Sequence, residues 1–327
     1  MDMSDFLSYK EWIEKRGFED NAWGATEYMQ HKIREEIDFF DFKKKKRKKI
    51  LFTSGCSFCI NWPEILAKKL NRQLMNMGHG ASGNEVIHNH TIFAVKKLLD
   101  SGINPKDILP IVSWGEVNRK DFVINKQDTV EYDYIVDEEP SGTNPSNCFF
   151  QGTSYGYLGV PQGNYSTWIK SGGLMGHGGY WKNYYKYYYT EEQHFLNTLH
   201  MIYYTQLFFE KYGIDYKMVV WQNIFHDRNN YFDNNSIEYF ISEGGSRGLT
   251  FKSKDVELLC DYYPSTKHIW DMIDFSKFIF YEDDEVSMGG IAEHNIQNDI
   301  LLHGNHPIWE GNVKYVDDVL LPVLGNK

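Results

Sequence analysis

The sequence predicts an α/β fold, a parallel sheet of about five strands between helices. Three observations carry this. In the first part of the chain three short apolar segments recur, each ends in a glycine-bearing turn, and a segment with helical spacing follows the first two turns. Strand, loop and helix in that alternation are the mark of a parallel sheet covered on both faces. Such sheets hold their ligands at the carboxyl ends of the strands.

Taken in order, Ile50-Leu51-Phe52-Thr53 reads as a buried strand ending at Ser54-Gly55-Cys56-Ser57, with a helix following at once on Ile65, Leu66 and Leu70. Gln73 to Met77 forms a second strand, closed by the turn Gly78-His79-Gly80-Ala81-Ser82-Gly83. A helix from Asn84 to about Leu99 leads to a third strand, Asp107 to Trp114, and then to the turn Gly115-Glu116-Val117-Asn118-Arg119. Residues 121–189 are rich in Gly, Tyr, Asn and Ser and read as an insertion or lid. A long helix over Thr190–Tyr212, a fourth strand at Tyr216–Gln222 and a fifth at Phe278–Tyr281 come next. The last element, Glu310 to Leu324, is an amphipathic helix with Val313, Val316, Val319, Leu320 and Val323 on its apolar face. Ahead of all this, residues 1–49 form an extension with two short helices, Ser4–Arg16 and Ala25–Phe39, and a basic linker, Lys43 to Lys49. Residues 50–327 form the main domain.

Composition narrows the function. The net charge of −11 argues against general nucleic-acid binding, because an acidic surface repels phosphate. The basic run at Lys43–Lys49 is either a solvated linker or a local anion-binding patch. No apolar run is long enough to span a membrane, and Met1–Lys15 has no apolar core of a secretory signal, so a cytoplasmic protein is expected. A virion-associated protein would read the same way. Four cysteines in 327 residues are no disulfide framework. Twenty-three tyrosines and nine tryptophans, densest over Tyr180–Tyr189, suit either a glycan or partner surface or an aromatic packing layer.

Ser57 follows a buried strand at the sheet's carboxyl edge, where a hydroxyl is well placed for attack and its backbone N–H can face a developing oxyanion. His306, in the loop before the last helix, is the candidate base. Trp62 and Trp114 flank the predicted site and either shape a substrate pocket or belong to the core.

Four blocks resemble those of SGNH (GDSL-like) hydrolases. Gly55-Cys56-Ser57-Phe58 looks like the first, Asn76-Met77-Gly78-His79-Gly80 like the second, the Trp114–Arg119 turn falls where the third belongs, and His306-Pro307 with Gly311 looks like the last. The resemblance implies a flavodoxin-like sheet and hydrolysis of esters, often acyl groups on sugars or lipids. It makes Ser57 the nucleophile, His306 the base, and the N–H groups of Ser57 and Gly80 oxyanion donors, with Gly83 the second choice to Gly80 and Asn118 a looser third donor. No metal or organic cofactor is implied. The substrate class favoured is a small-molecule or glycan ester, an O-acetyl carbohydrate above all. Two positions depart from the pattern: Cys56 stands where aspartate is usual, and His303 stands where the family carries the acid that orients the base. A histidine cannot take over that role. A Ser–His dyad, a carboxylate from elsewhere (Asp299 or Glu293) or an inactive binding protein are the consequences. Cys56-Ser57-Phe58-Cys59 also reads as a thiol–disulfide redox pair.

Overall fold

The computed structural model describes residues 49–125 except 60 and 79–81, residues 167–173 and 180–226, and residues 253–325 except 255, 299, 301, 304 and 305. The two N-terminal helices and the basic linker up to residue 48 lie outside the described residues, as does Gly80.

Four parallel strands make the central sheet: β1 (Ile50–Ser54), β2 (Gln73–Asn76), β3 (Ile108–Trp114) and, later in the chain, β6 (Lys217–Val220). Their spatial order is β2-β1-β3-β6. Register runs Ile50 against Gln73 and Ile108, and Ile111 against Lys217. The expected fifth strand is reduced to a single parallel bridge, Met218 to Phe278. The connections are helical: α1 (Trp62–Lys69), α2 (Asn84–Asp100) and, after an insertion, α4 (Glu191–Lys211).

Alternation along each strand divides the core in two, as the pleat requires. Leu51, Ile111 and Val219 point to one face, where Ile65 and Leu66 of α1 and Tyr315, Val316 and Leu320 of the last helix cover them. Ile50, Phe52, Val112, Trp114, Met218 and Val220 point to the other, under Ile87, Val95 and Leu98 of α2 and Phe195, Leu199 and Ile202 of α4. Every residue of β1 and β3 is buried, the condition under which a strand reads as a continuous apolar run. The chain leaves β1 toward β2, then returns past it to β3. The direction of winding therefore reverses between β1 and β3, and their carboxyl ends flank the crevice that such a reversal opens.

Two expected elements are displaced for identifiable reasons. The first helix starts at Trp62, not directly after Ser57, with Pro63 in its first turn. Proline lacks the N–H that a helix interior needs, so the helix cannot begin much earlier. The C-terminal helix runs Trp309–Tyr315, widens to a π turn over Val316–Leu320, and resumes over Leu321–Leu324. Pro322 cannot donate to the carbonyl four residues back, and the wider turn absorbs that break. The altered phase leaves Val323 42% exposed while Val316 and Leu320 are fully buried.

The insertion contributes an antiparallel pair, β4 (Lys120–Asn125) with β5 (Thr167–Gly173), and a two-turn helix, α3 (Tyr180–Tyr187). A further helix, α5 (Ile291–Gln297), and a minimal hairpin, β7 (Leu302–His303) with β8 (His306–Pro307), precede α6 (Trp309–Tyr315), the opening segment of the C-terminal helix. Among the described residues no helix is long and apolar enough to cross a membrane.

Candidate active site

The turn after β1 is built for close approach. A Cβ at Gly55 would come within 2.4 Å of Cys59 Sγ and 2.9 Å of Ser113 Cβ, so only glycine lets the chain leave the sheet here. Cys59 N–H donates to the Cys56 carbonyl at 2.9 Å and closes the turn. Asn76, the last residue of β2, fastens it from the side: its Nδ2 donates to the Cys59 carbonyl at 2.7 Å, and its Oδ1 accepts from Gly78 N–H at 2.8 Å. Ser57 sits on this turn, 7% exposed.

His306 arrives from the far end of the chain. It opens β8, paired with His303 of β7 across the hairpin. Asn312, on the first turns of α6, donates through Nδ2 to the carbonyls of Pro307 (3.1 Å) and Ile308 (2.9 Å) and so ties the strand to the helix that follows. His306 Nε2 lies 2.6 Å from Ser57 Oγ, a contact between residues 249 apart in sequence. That is hydrogen-bond reach for a serine hydroxyl donating to a neutral imidazole, the arrangement a nucleophile and its base require.

Phe58 holds the same imidazole by its face. The two rings are 4.5 Å apart between centroids and 16° from parallel. Phe58 in turn stacks on Trp221 at 4.1 Å and 23°. The sequence reading missed both aromatics. Adjacency of Phe58 to the candidate serine was the available signal for one, and nothing local marked Trp221.

Of the other expected donors, Gly80 lies outside the described residues. Gly83 N–H donates to Asp121 Oδ1 at 3.1 Å, and Asp121 Oδ2 accepts from Val86 N–H at 3.0 Å. Gly83 is thus part of the capped start of α2, and Asp121, also missed, is the buried carboxylate that caps it. Asn118 stands on the turn after β3, the strand beside β1. Its Oδ1 is buried with no hydrogen-bond partner among the described residues, and its main-chain carbonyl accepts from Tyr185 OH. His194 Nδ1 binds the Val117 carbonyl at 3.0 Å, and Tyr184 OH donates to its Nε2 at 2.6 Å. Burial lowers the His194 pKa, in keeping with a neutral ring. The tyrosine-rich stretch therefore clamps the turn after β3, while Tyr187 and Tyr188 stay 64% and 75% exposed. Of the two alternatives held open for that stretch, the contacts of Tyr184 and Tyr185 match the packing layer.

Arg119 pairs through Nε with Glu116 Oε2 at 3.5 Å, both side chains nearly buried. Burial works against its charge, but Glu116 and then Cys56 outweigh this and raise its pKa. Trp62 and Trp114 are 1% and 0% exposed and belong to the core, where Trp114 Nε1 contacts Met218 Sδ at 3.4 Å. Of the two roles left open for them, this burial matches the core one.

The two carboxylates considered for orienting His306 separate. Asp299 lies outside the described residues. Glu293 is fully buried, and each of its oxygens takes a backbone N–H: Asn223 at 2.7 Å and Gly290 at 2.8 Å. It joins the loop after β6 to the start of α5. The side chain of His303 is outside the described residues. Cys56 and Cys59 are free and fully buried, and burial raises both thiol pKa values, that of Cys59 well above the usual range. Among the described residues no group of three His, Cys, Asp or Glu is placed to hold a metal ion.

Set beside known proteins, the chain matches no family model and no curated protein, so a functional reading has to be carried by the Ser57–His306 geometry and the sheet that delivers it.

Proposed function

We propose that this chain is a serine ester hydrolase of the SGNH type, with Ser57 as nucleophile and His306 as base. The single observation that carries the reading is the 2.6 Å contact between Ser57 Oγ and His306 Nε2, made at the carboxyl edge of a parallel sheet. Two supports stand beside it. The strand order β2-β1-β3-β6 is the start of the flavodoxin-like order, and the serine follows the strand at which the winding reverses. The four sequence blocks follow one another along the chain in the order that the family resemblance implies.

In this reading His306 takes the hydroxyl proton through Nε2 as Ser57 Oγ attacks an ester carbonyl. The backbone N–H of Ser57, with Gly80 and Asn118 as further candidates, faces the oxyanion. His306 returns the proton to the leaving alkoxide, and water then releases the acyl group by the same base. The favoured substrate is an O-acyl carbohydrate, O-acetyl above all. Tyr187 and Tyr188, exposed on the insertion, offer flat faces on which a sugar ring can lie.

A fluorophosphonate probe tests the reading. It is expected to label the folded protein at Ser57, mapped by peptide mass, and to fail on Ser57→Ala and His306→Gln. Hydrolysis of a small chromogenic acetyl ester is expected to follow the same pattern. An unlabelled wild-type protein that hydrolyses no ester would end the proposal.

One observation favours a second reading, a binding protein on the same scaffold: a histidine, His303, pairs with His306 where the family carries its orienting acid. Fluorophosphonate separates the two, because only the hydrolase is labelled. The redox reading is weakened by the buried, raised thiols, since the thiolate is the reacting form.

A further inference from the structure

We propose that Phe58 is the positioning residue of the candidate site, supplying through its ring face part of what a carboxylate supplies in a Ser–His–Asp triad. The inference rests on the reading of Ser57 and His306 as nucleophile and base. An orienting acid performs three tasks: it fixes the plane of the imidazole, fixes its tautomer, and stabilises the cation formed when the serine proton arrives. The first and third are within reach of an aromatic face. Phe58 lies 4.5 Å from His306 and 16° from parallel, so rotation of the imidazole about its Cβ–Cγ bond is blocked on that side. Trp221 backs Phe58 at 4.1 Å and 23°, so the blocking ring is itself held. Phe58 is 4% exposed, which removes the water that would weaken an attraction between a cation and the ring's negative face.

The covalent layout makes the device economical. Residues 57 and 58 are neighbours on one turn, and both grip the same side chain: Ser57 at Nε2, Phe58 against the face. A stack against the ring face opposes rotation of the imidazole about the Nε2–Oγ line, which the hydrogen bond to Ser57 does not. The proton transferred from Ser57 Oγ to Nε2 creates a positive ring directly over the Phe58 face, and that attraction is absent while the imidazole is neutral. The contact therefore favours the transition state over the bound ground state, so its loss lowers kcat more than it raises KM.

The test compares the wild type with Phe58→Leu and Phe58→Tyr on a chromogenic acetyl ester, under saturating and limiting substrate. Leucine keeps an apolar side chain without the quadrupole. The expected result is a kcat about 2- to 30-fold lower in Phe58→Leu at little-changed KM, with most of the turnover recovered in Phe58→Tyr. A folded Phe58→Leu with wild-type kcat overturns the proposal, as does an equal loss in Phe58→Tyr. Because Phe58 is in the core, a measurement on the wild type stands beside the variants. The imidazole carbon-bound protons of His306, assigned by their loss in His306→Gln, are expected upfield of those of exposed histidines through the Phe58 ring current; unshifted signals overturn the stack. Active wild type with undiminished Phe58→Leu sinks this inference alone. Wild type neither labelled at Ser57 nor active sinks the hydrolase reading, and this inference with it.

Discussion

Glu293→Gln separates a structural acid from a catalytic one. The carboxylate is fully buried and accepts from two main-chain donors, Asn223 N–H at 2.7 Å and Gly290 N–H at 2.8 Å. Glutamine keeps the shape and one acceptor oxygen, but presents an NH2 group to the other N–H. Leaving one buried donor unpaired costs about 1–3 kcal/mol. Losing a negative charge on the first turn of α5 costs about 0.3–1 kcal/mol more. The expected destabilisation is therefore about 1.5–4 kcal/mol, read from urea unfolding with an unchanged m value. The rate of Ser57 labelling in the folded fraction is expected to hold within a few-fold. Replacing the acid of a triad by its amide lowers kcat by about 10⁴. A stable Glu293→Gln protein whose labelling falls on that scale would refute the structural assignment and make Glu293 an acid that orients His306.

Further outcomes follow from other contacts. Gly55→Ala sets a methyl 2.4 Å from Cys59 Sγ and is expected to cost about 1–3 kcal/mol in thermal or urea unfolding, with part of that recovered in Gly55→Ala/Cys59→Ala. His226 accepts from Asn223 Nδ2 at 2.7 Å through Nδ1, and burial holds its pKa down at about 4 against the usual 6.5. The unfolded chain then binds the proton first, so stability falls as the pH drops from about 6.5 to about 4 and levels off below. The contribution is on the order of 3 kcal/mol, and His226→Gln is expected to show a shallower pH slope in urea unfolding than the wild type. Tyr185→Phe removes the hydroxyl that donates to the Asn118 carbonyl; a loss of about 0.5–1.5 kcal/mol is expected in the same assay.

The sheet was legible because its strands are buried on both faces. Apolar runs such as Ile108–Trp114 stand out against the polar turns that follow, and Asn84–Asp100 carries a clear 3.6-residue pattern. What periodicity does not reveal is where a helix starts when a proline, here Pro63, sets the limit, or how Pro322 shifts the phase of the last helix. Each member of the candidate pair was marked by its place, a serine after a buried strand and a histidine before the last helix, but only the resemblance linked the two, since no local rule joins positions 57 and 306. Phe58 and Trp221 were invisible for the opposite reason: an aromatic in a buried segment reads as core, and these two are core as well as site. Trp62 and Trp114 drew attention by proximity in sequence, yet their side chains point into packed layers. The capping role of Asp121 depends on β4 returning beside α2, a tertiary event that an isolated aspartate does not announce.

The 249 residues between the hydroxyl and the imidazole have a consequence for biosynthesis. At a translation rate of about 5–20 residues per second, roughly 10–50 s pass between addition of the one and of the other. A nascent chain still on the ribosome can raise the first strands and their turn, yet it carries a bare alcohol with no partner. On the proposed function, reactivity of that alcohol becomes a timer for the finished molecule, silent until the closing hairpin has left the exit tunnel and docked.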